Sequence, residues 1–353
     1  MYKNLLNSAP DYAVVGIQYP GMGLLRIIQH LQGYMNEDIM NTVVSIALFI
    51  AGLGLVIYFA EKLVKGAVGT SLGFGISPFL ISVIFIGFDP ENLAVGAVGS
   101  YEGVAGIALG SIIGAAMVAI ALAFGITALF APMRFEKVPN QILAVPILAV
   151  LLLGILGYDG LLSRADGAIL LFGFVLAVVY LLRLSKRGLD IKPTGEVAET
   201  LEEAKELSKW KSFGLLLLSL AAIIIGSEML VAGSKPIITS LGLSDTVFGM
   251  TILAFLVSIE ELARELPAAM KGRPDISFGN VVGSILAFFL FNAGIIALVN
   301  PVTVAPQVLR FYLPLCFGTV IVLSLFMMSK KIPRWAGGIL IILYLIFVIG
   351  GYI

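Results

Sequence analysis

The chain is short of charge: of its 353 residues 12% are Asp, Glu, Lys or Arg, against 59% hydrophobic. Its mean hydropathy is strongly positive. A soluble protein of this size could not cover its surface with so few charges. Histidine and cysteine are nearly missing, with one residue of each. Cys316 cannot close an intrachain disulfide, and its apolar setting predicts a small buried hydrophobe. His30 lies outside the main apolar stretches, so no histidine metal cluster is available. No nucleophile–base constellation is present either, which argues against an enzyme. Basic and acidic residues balance at 22 each, so nothing global points to nucleic acid.

What is present is a succession of apolar stretches, most of about 20 residues, enough to cross a hydrocarbon core roughly 30 Å thick. They predict an all-α polytopic membrane protein embedded in a lipid bilayer. Ten transmembrane helices are expected, at about 42–62 (continuing toward 70), 77–100, 104–130, 141–157, 165–184, 212–233, 246–270, 276–299, 307–328 and 336–352. Residues 1–40 form an N-terminal extension. It lacks a basic stretch followed by a roughly 7–15-residue apolar core and small-residue cleavage site, so no signal peptide is expected. Within it, Leu24, Leu25, Ile27, Ile28 and Leu31 have helical spacing and predict a short amphipathic helix. Residues 185–211 mix both charge signs, include Glu202, Glu203, Lys205 and Glu206, and read as a solvated linker helix.

Lysine and arginine set the expected orientation. Loops on the side of the 185–211 segment, with Lys62, Lys65, Arg134, Lys137, Lys330 and Lys331, carry 16 of the 22 basic residues. That bias predicts a multi-pass protein of the cell membrane with the central loop in the cytoplasm and both termini outside.

Displacing the chain against itself by 169 positions gives one gapless match over about sixty residues. Thr70–Gly73 falls on Thr239–Gly242, Phe79 on Phe248, Glu91 on Glu260, and Leu93-Ala94 on Leu262-Ala263. Gly103, Ile107, Gly110, Gly114 and Gly125 fall on Gly272, Ile276, Gly279, Gly283 and Gly294. Chance agreement in a Gly/Ala/Leu-rich chain would scatter across registers. The unit holds five spans, 41–184 and then 212–353, and an odd number turns the second copy upside down in the membrane. Two inverted five-helix repeats are an architecture of secondary transporters, with a site expected near the midplane where the copies meet. Channels and membrane-embedded enzymes stay open at this point. Each copy also carries a mid-span acidic cluster, a short loop and a Gly-x-x-x-Gly element, Gly110/Gly114 and Gly279/Gly283. Close helix packing explains such glycines; exposing backbone oxygens to a bound cation would be a further use.

Charges inside apolar spans cost about 2.5–3.5 kcal/mol each on insertion scales, so the run Leu256–Ser284 asks for an explanation. Its segment KGRPDISFGNVVGS, Lys271–Ser284, resembles the cation/calcium antiporter superfamily, the sodium/calcium exchanger fold. The resemblance covers the chain from about residue 41 onward. It implies two inverted repeats and a cation pocket, with the pocket glutamate on Glu261 and the pocket serine on Ser258. In the first copy the same count places Asn92 at the glutamate position and Asp89 at the serine position, with a further acid at Glu91. One turn beyond each Gly-x-x-x-Gly, where the family has Asn or Asp, stand Ala119 and Phe288.

Helical spacing groups these residues. Ser258, Glu261 and Glu265 share one face, as do Asp89, Asn92 and Gly96. Glu260 and Arg264 are four apart in the favourable order and predict an internal ion pair; alternatively Arg264 neutralises the whole cluster as a structural plug. Carboxylates with Ser and Asn oxygens suit a hard cation such as Ca²⁺, Mg²⁺, Na⁺ or H⁺, and close carboxylates favour proton coupling. The expected function is secondary antiport of a cation, Ca²⁺ foremost, against Na⁺ or H⁺ by alternating access. Asp89 and Glu261 are the expected metal ligands, aided by Asn92, Ser258, Glu91 and Glu260, with no cofactor beyond the transported cation. The alternative is an exchanger-fold protein with a degenerate ion site that serves as a structural or regulatory partner.

Overall fold

A computed structural model describes residues 37–75, 89–134, 140–186, 208–270 and 274–353. Packing divides the chain into two units, Met1–Val43 and Val44–Ile353. The amphipathic segment around Leu24, most of the central linker and residues 271–273 lie outside the described residues. The helices are α1 (Glu37–Gly73), α2 (Pro90–Tyr101), α3 (Ala105–Phe130), α4 (Asn140–Leu156), α5 (Arg164–Lys186) and α6 (Lys209–Leu241). They continue with α7 (245–258), α8 (Glu260–Met270), α9 (274–299), α10 (Val308–Met328) and α11 (Arg334–Ile349). Among the described residues there are also four two-residue strands: β1 (Met133–Arg134), β2 (Leu161–Leu162), β3 (Val302–Thr303) and β4 (Lys331–Ile332).

Among the described residues, seven helical runs are long and apolar enough to cross a membrane, with α7 and α8 counted as one run. Two shorter apolar helices, Ile142–Leu156 and Arg334–Ile349, and α2 bring the set to the ten expected spans. The chain is an all-α polytopic membrane protein. Its outer helices carry exposed apolar side chains, among them Ile50, Phe172, Leu218 and Ile342, as a lipid-facing surface requires. The centre belongs to α3 and α9, each 83% buried over its most apolar window, against 28% for α1 and α5. Cys316 is free and buried.

The duplication is visible in the helices and strands. Helix α3 at 105–130 and α9 at 274–299 differ by the same 169 positions at both ends. Each contains a wide π-helical turn at matching places, Val118–Ala123 and Ala287–Asn292. Strands β1 and β3 fall in the same register, at 133–134 and 302–303. Strand β1 pairs antiparallel with β4, Met133 opposite Ile332, while β2 pairs with β3, Leu161 opposite Thr303. Both ribbons therefore join one copy to the other. The end of α3 packs on α11, and the end of α9 packs on α5 in the reciprocal contact. This exchange explains why the two copies share one compact unit rather than forming separate domains.

Two features place a site inside this frame. Helix α2 starts at Pro90, in the middle of the apolar stretch 77–100 rather than at its edge. Its N-terminus is buried in the protein, with Pro90, Glu91 and Asn92 all covered. In the second copy the helix is interrupted at Ile259, between α7 and α8. Discontinuous helices of this kind bring backbone and side-chain polar groups to the interior of transporters.

Candidate cation site

The first copy contributes Asp89-Pro90-Glu91-Asn92. Aspartate is a strong N-cap and proline is preorganised for the first helical position. Accordingly Asp89 caps α2, its Oδ1 accepting the backbone N–H of Asn92 at 2.9 Å. Asp89 thus stands just outside the helix rather than within a continuous span. The Asn92 side-chain amide donates to Asp89 Oδ2 at 2.9 Å and to Ser258 Oγ at 2.8 Å. The second of these bonds crosses from one copy to the other. Asp89, Glu91, Asn92 and Ser258 are all buried.

The second copy contributes Ser258 at the end of α7, then Glu260, Glu261 and Glu265 from α8. Glu261 and Glu265 are four apart, one above the other on a helical face. Both are buried, whereas Glu260 is half-buried. Asn280 on α9 reaches between the two carboxylates: its Nδ2 donates to Glu261 Oε2 at 2.7 Å and to Glu265 Oε1 at 3.1 Å. Ser277 Oγ donates to the Glu265 carbonyl at 3.1 Å, fastening α9 to α8. Two groups result, Asp89–Asn92–Ser258 and Glu261–Asn280–Glu265, connected through the short stretch from Ser258 to Glu261.

Helix α3 sits close enough to α7 to order this interior because glycines meet glycines. A Cβ on Gly110 would run into the backbone of Gly249. Asp245 Oδ2 accepts the Gly106 N–H at 3.0 Å and ties the start of α7 to the start of α3. The glycine pattern in the sequence therefore serves close packing, as small-residue spacing in membrane helices does.

Of the residues read from sequence, Asp89, Asn92 and Ser258 come together directly, and Glu261 lies one turn away beside Asn280. Glu91 is fully covered, unlike its repeat mate Glu260. The side chain of Arg264, and with it the expected Glu260–Arg264 pair, lies outside the described residues. Sequence reasoning missed Asn280 and gave Glu265 no role. Both were signalled: Glu265 by its place on the Glu261 face, Asn280 by its position between the glycines of GNVVGS. Ala119 and Phe288 are buried apolar residues, so that level of α3 and α9 offers no side-chain oxygen at these positions. Among the described residues no cluster of three or more His, Cys, Asp or Glu forms a metal cage. The donors are instead mixed, carboxylate with hydroxyl and amide oxygens. Taking carboxylates out of water costs several kcal/mol per ion, a cost that a hard cation with oxygen ligands offsets.

A duplicated, inverted bundle with broken helices and buried acids at the junction of its copies defines a secondary cation antiporter. Comparison with known proteins fixes the group: the chain belongs to the sodium/calcium exchanger protein family, matching it over residues 44–183 and 211–352. The two matched stretches correspond to the two copies. The chain is similar to the inner membrane protein YrbG of Escherichia coli, with 32% identity covering 74% of this chain and 81% of YrbG. It is also similar to the sodium/calcium exchanger MaX1 of Methanosarcina acetivorans, 24% identical over 87% of this chain and 98% of the relative. Among solved structures, the sodium-calcium exchanger NCX_Mj soaked with Na⁺ and Sr²⁺ matches with a TM-score of 0.57 and 27% identity. That match covers 87% of this chain and 98% of the exchanger. The protein is a transporter, not an enzyme.

Proposed function

We propose that this antiporter moves Ca²⁺ against Na⁺ or H⁺ by alternating access, with Asp89 and Glu261 as its central ligands. The observation that carries the reading is the Asn92–Ser258 hydrogen bond, which brings the capping carboxylate of one copy against the other copy one turn from Glu261. Ser258 and Asn92 supply neutral oxygens, and Glu91 and Glu260 add negative charge near the pair. Oxygen donors of this kind favour a hard divalent ion. The names of the relatives, a sodium/calcium exchanger among them, support the same ion pair. The bias of lysine and arginine supports residence in the cell membrane with the 185–211 segment in the cytoplasm and both termini outside. The partners on this reading are the lipid bilayer and inorganic cations.

Flux in proteoliposomes tests the assignment. Glu261→Gln and Asp89→Asn should each reduce ion-gradient-driven ⁴⁵Ca²⁺ uptake to background. Undiminished uptake in both would remove these carboxylates from the site.

A further inference from the structure

Glu265 has a carboxylate that the central site does not use. The residue is 1% exposed. Its Oε1 accepts from Asn280, but its Oε2 is buried with no hydrogen-bond partner among the described residues. No ion pair among those residues reaches it. The same Asn280 nitrogen also serves Glu261, so one neutral amide stands between two acids. A fully buried acid with an unmatched oxygen is an unfavourable arrangement that binding of a cation would relieve.

The arrangement is absent from the first copy. The repeat mates of Glu265 and Asn280 are Gly96 and Ser111. A Cβ on Gly96 would strike Ser111 Oγ, so that position cannot hold an acid without rearrangement. Ser111 Oγ instead donates to the Ala108 carbonyl at 2.9 Å. Duplication alone therefore does not account for Glu265.

We infer that Glu265, together with Glu261 and Asn280, forms a second cation subsite one helical turn along α8 from the central ligands, taking a hard divalent cation. Ser258 and Glu265 are seven residues apart, about 10 Å of helix rise, whereas two oxygens on opposite sides of one Ca²⁺ are only about 5 Å apart. The two ion positions are thus distinct, and Glu261 is the ligand common to both. A cation passing toward the Met270 end of α8 would exchange Asp89 and Ser258 for Glu265 Oε2 and the Asn280 amide oxygen. This inference rests on the cation-transport reading above.

The test is Ca²⁺ titration of the purified full-length protein, read by calorimetry and by thermal unfolding. Glu265→Gln keeps the side-chain volume and a carbonyl oxygen for Asn280. It should weaken Ca²⁺ binding about tenfold, since ligand charge sets affinity in such sites. The cation-free protein should at the same time unfold at an equal or higher temperature, because the variant no longer buries a carboxyl group without a cation. A residue with a merely structural role would move the cation-free midpoint downward and leave the titration alone. Glu265→Asp, which keeps the charge, should bind more tightly than the Gln variant and provides the reading if the Gln variant does not fold. Wild-type-like titration in both variants overturns the subsite but leaves the central site standing. Loss of pH dependence with unchanged Ca²⁺ affinity also overturns it, making Glu265 a proton carrier. Absence of any saturable Ca²⁺ effect in the wild-type protein overturns the central reading and the subsite together.

Discussion

The two copies present different chemistry at the same positions. Where the first has Asp89, Asn92, Gly96 and Ser111, the second has Ser258, Glu261, Glu265 and Asn280. The copies agree closely in backbone: α3 and α9 have equal length, and both place a wide turn at the matching point. The copies thus share the frame and differ in where the acids sit. In the first copy Asp89 stands at the cap of its helix, where a backbone N–H and an amide hold it, and Glu91 is buried in the first turn. In the second copy Glu261 and Glu265 lie within α8 and are joined through Asn280. The architecture requires a polar junction between the copies, and the position of each charge within it is adjustable.

The largest expected effect breaks the comparison on the second side. Glu261→Gln should abolish the Ca²⁺-dependent rise in thermal stability, because it removes the one carboxylate that both groups share. Next comes an exchange between positions. Asp89→Ser preserves a good N-cap, so the fold should hold; Ca²⁺ affinity should fall by about ten- to a hundredfold, or about 1.4–2.7 kcal/mol. Adding Asn92→Glu to that variant moves the acid to the position Glu261 occupies in the other copy. Calorimetry should then show recovery of most of the lost affinity; no recovery would mean that the copies cannot exchange roles.

Smaller effects test the frame. Gly110→Leu forces a side chain into the backbone of α7 and should destabilise by about 1–3 kcal/mol or more, the usual cost of overpacking. Thermal unfolding in detergent would read it. The least costly change is Ser100→Ala. Ser100 Oγ donates toward the carbonyls of Ile296 and Asn300, at 3.0 and 2.7 Å, and holds α2 to the end of α9. Its loss should cost about 0.5–1.5 kcal/mol with transport retained; a loss of flux would tie this contact to the working cycle.

The fold was legible in the sequence because a membrane imposes long apolar runs and because the copies still share glycines in one register. The register of 169 predicted from Gly103, Gly110 and Gly125 is the register the helices keep. The break at Ile259 and the wide turns were not legible. Ile259 and the residues of these turns include no glycine or proline to mark them, and tertiary packing of α3, α7 and α9 distinguishes them. At the site, spacing put Ser258, Glu261 and Glu265 on one face, and all three are buried. Spacing could not show that Asp89 caps α2 or that Asn280 bridges two acids from another helix, since both depend on how separate segments meet.

The central claim is that the buried carboxylates at the junction of the copies bind the cation that is exchanged. It is tested most directly by ⁴⁵Ca²⁺ uptake into proteoliposomes under an outward Na⁺ gradient and, separately, an outward H⁺ gradient. Saturable uptake under at least one gradient that vanishes in Glu261→Gln is the predicted result. Uptake no greater than in protein-free liposomes under both gradients, or uptake that Glu261→Gln leaves intact, would contradict it.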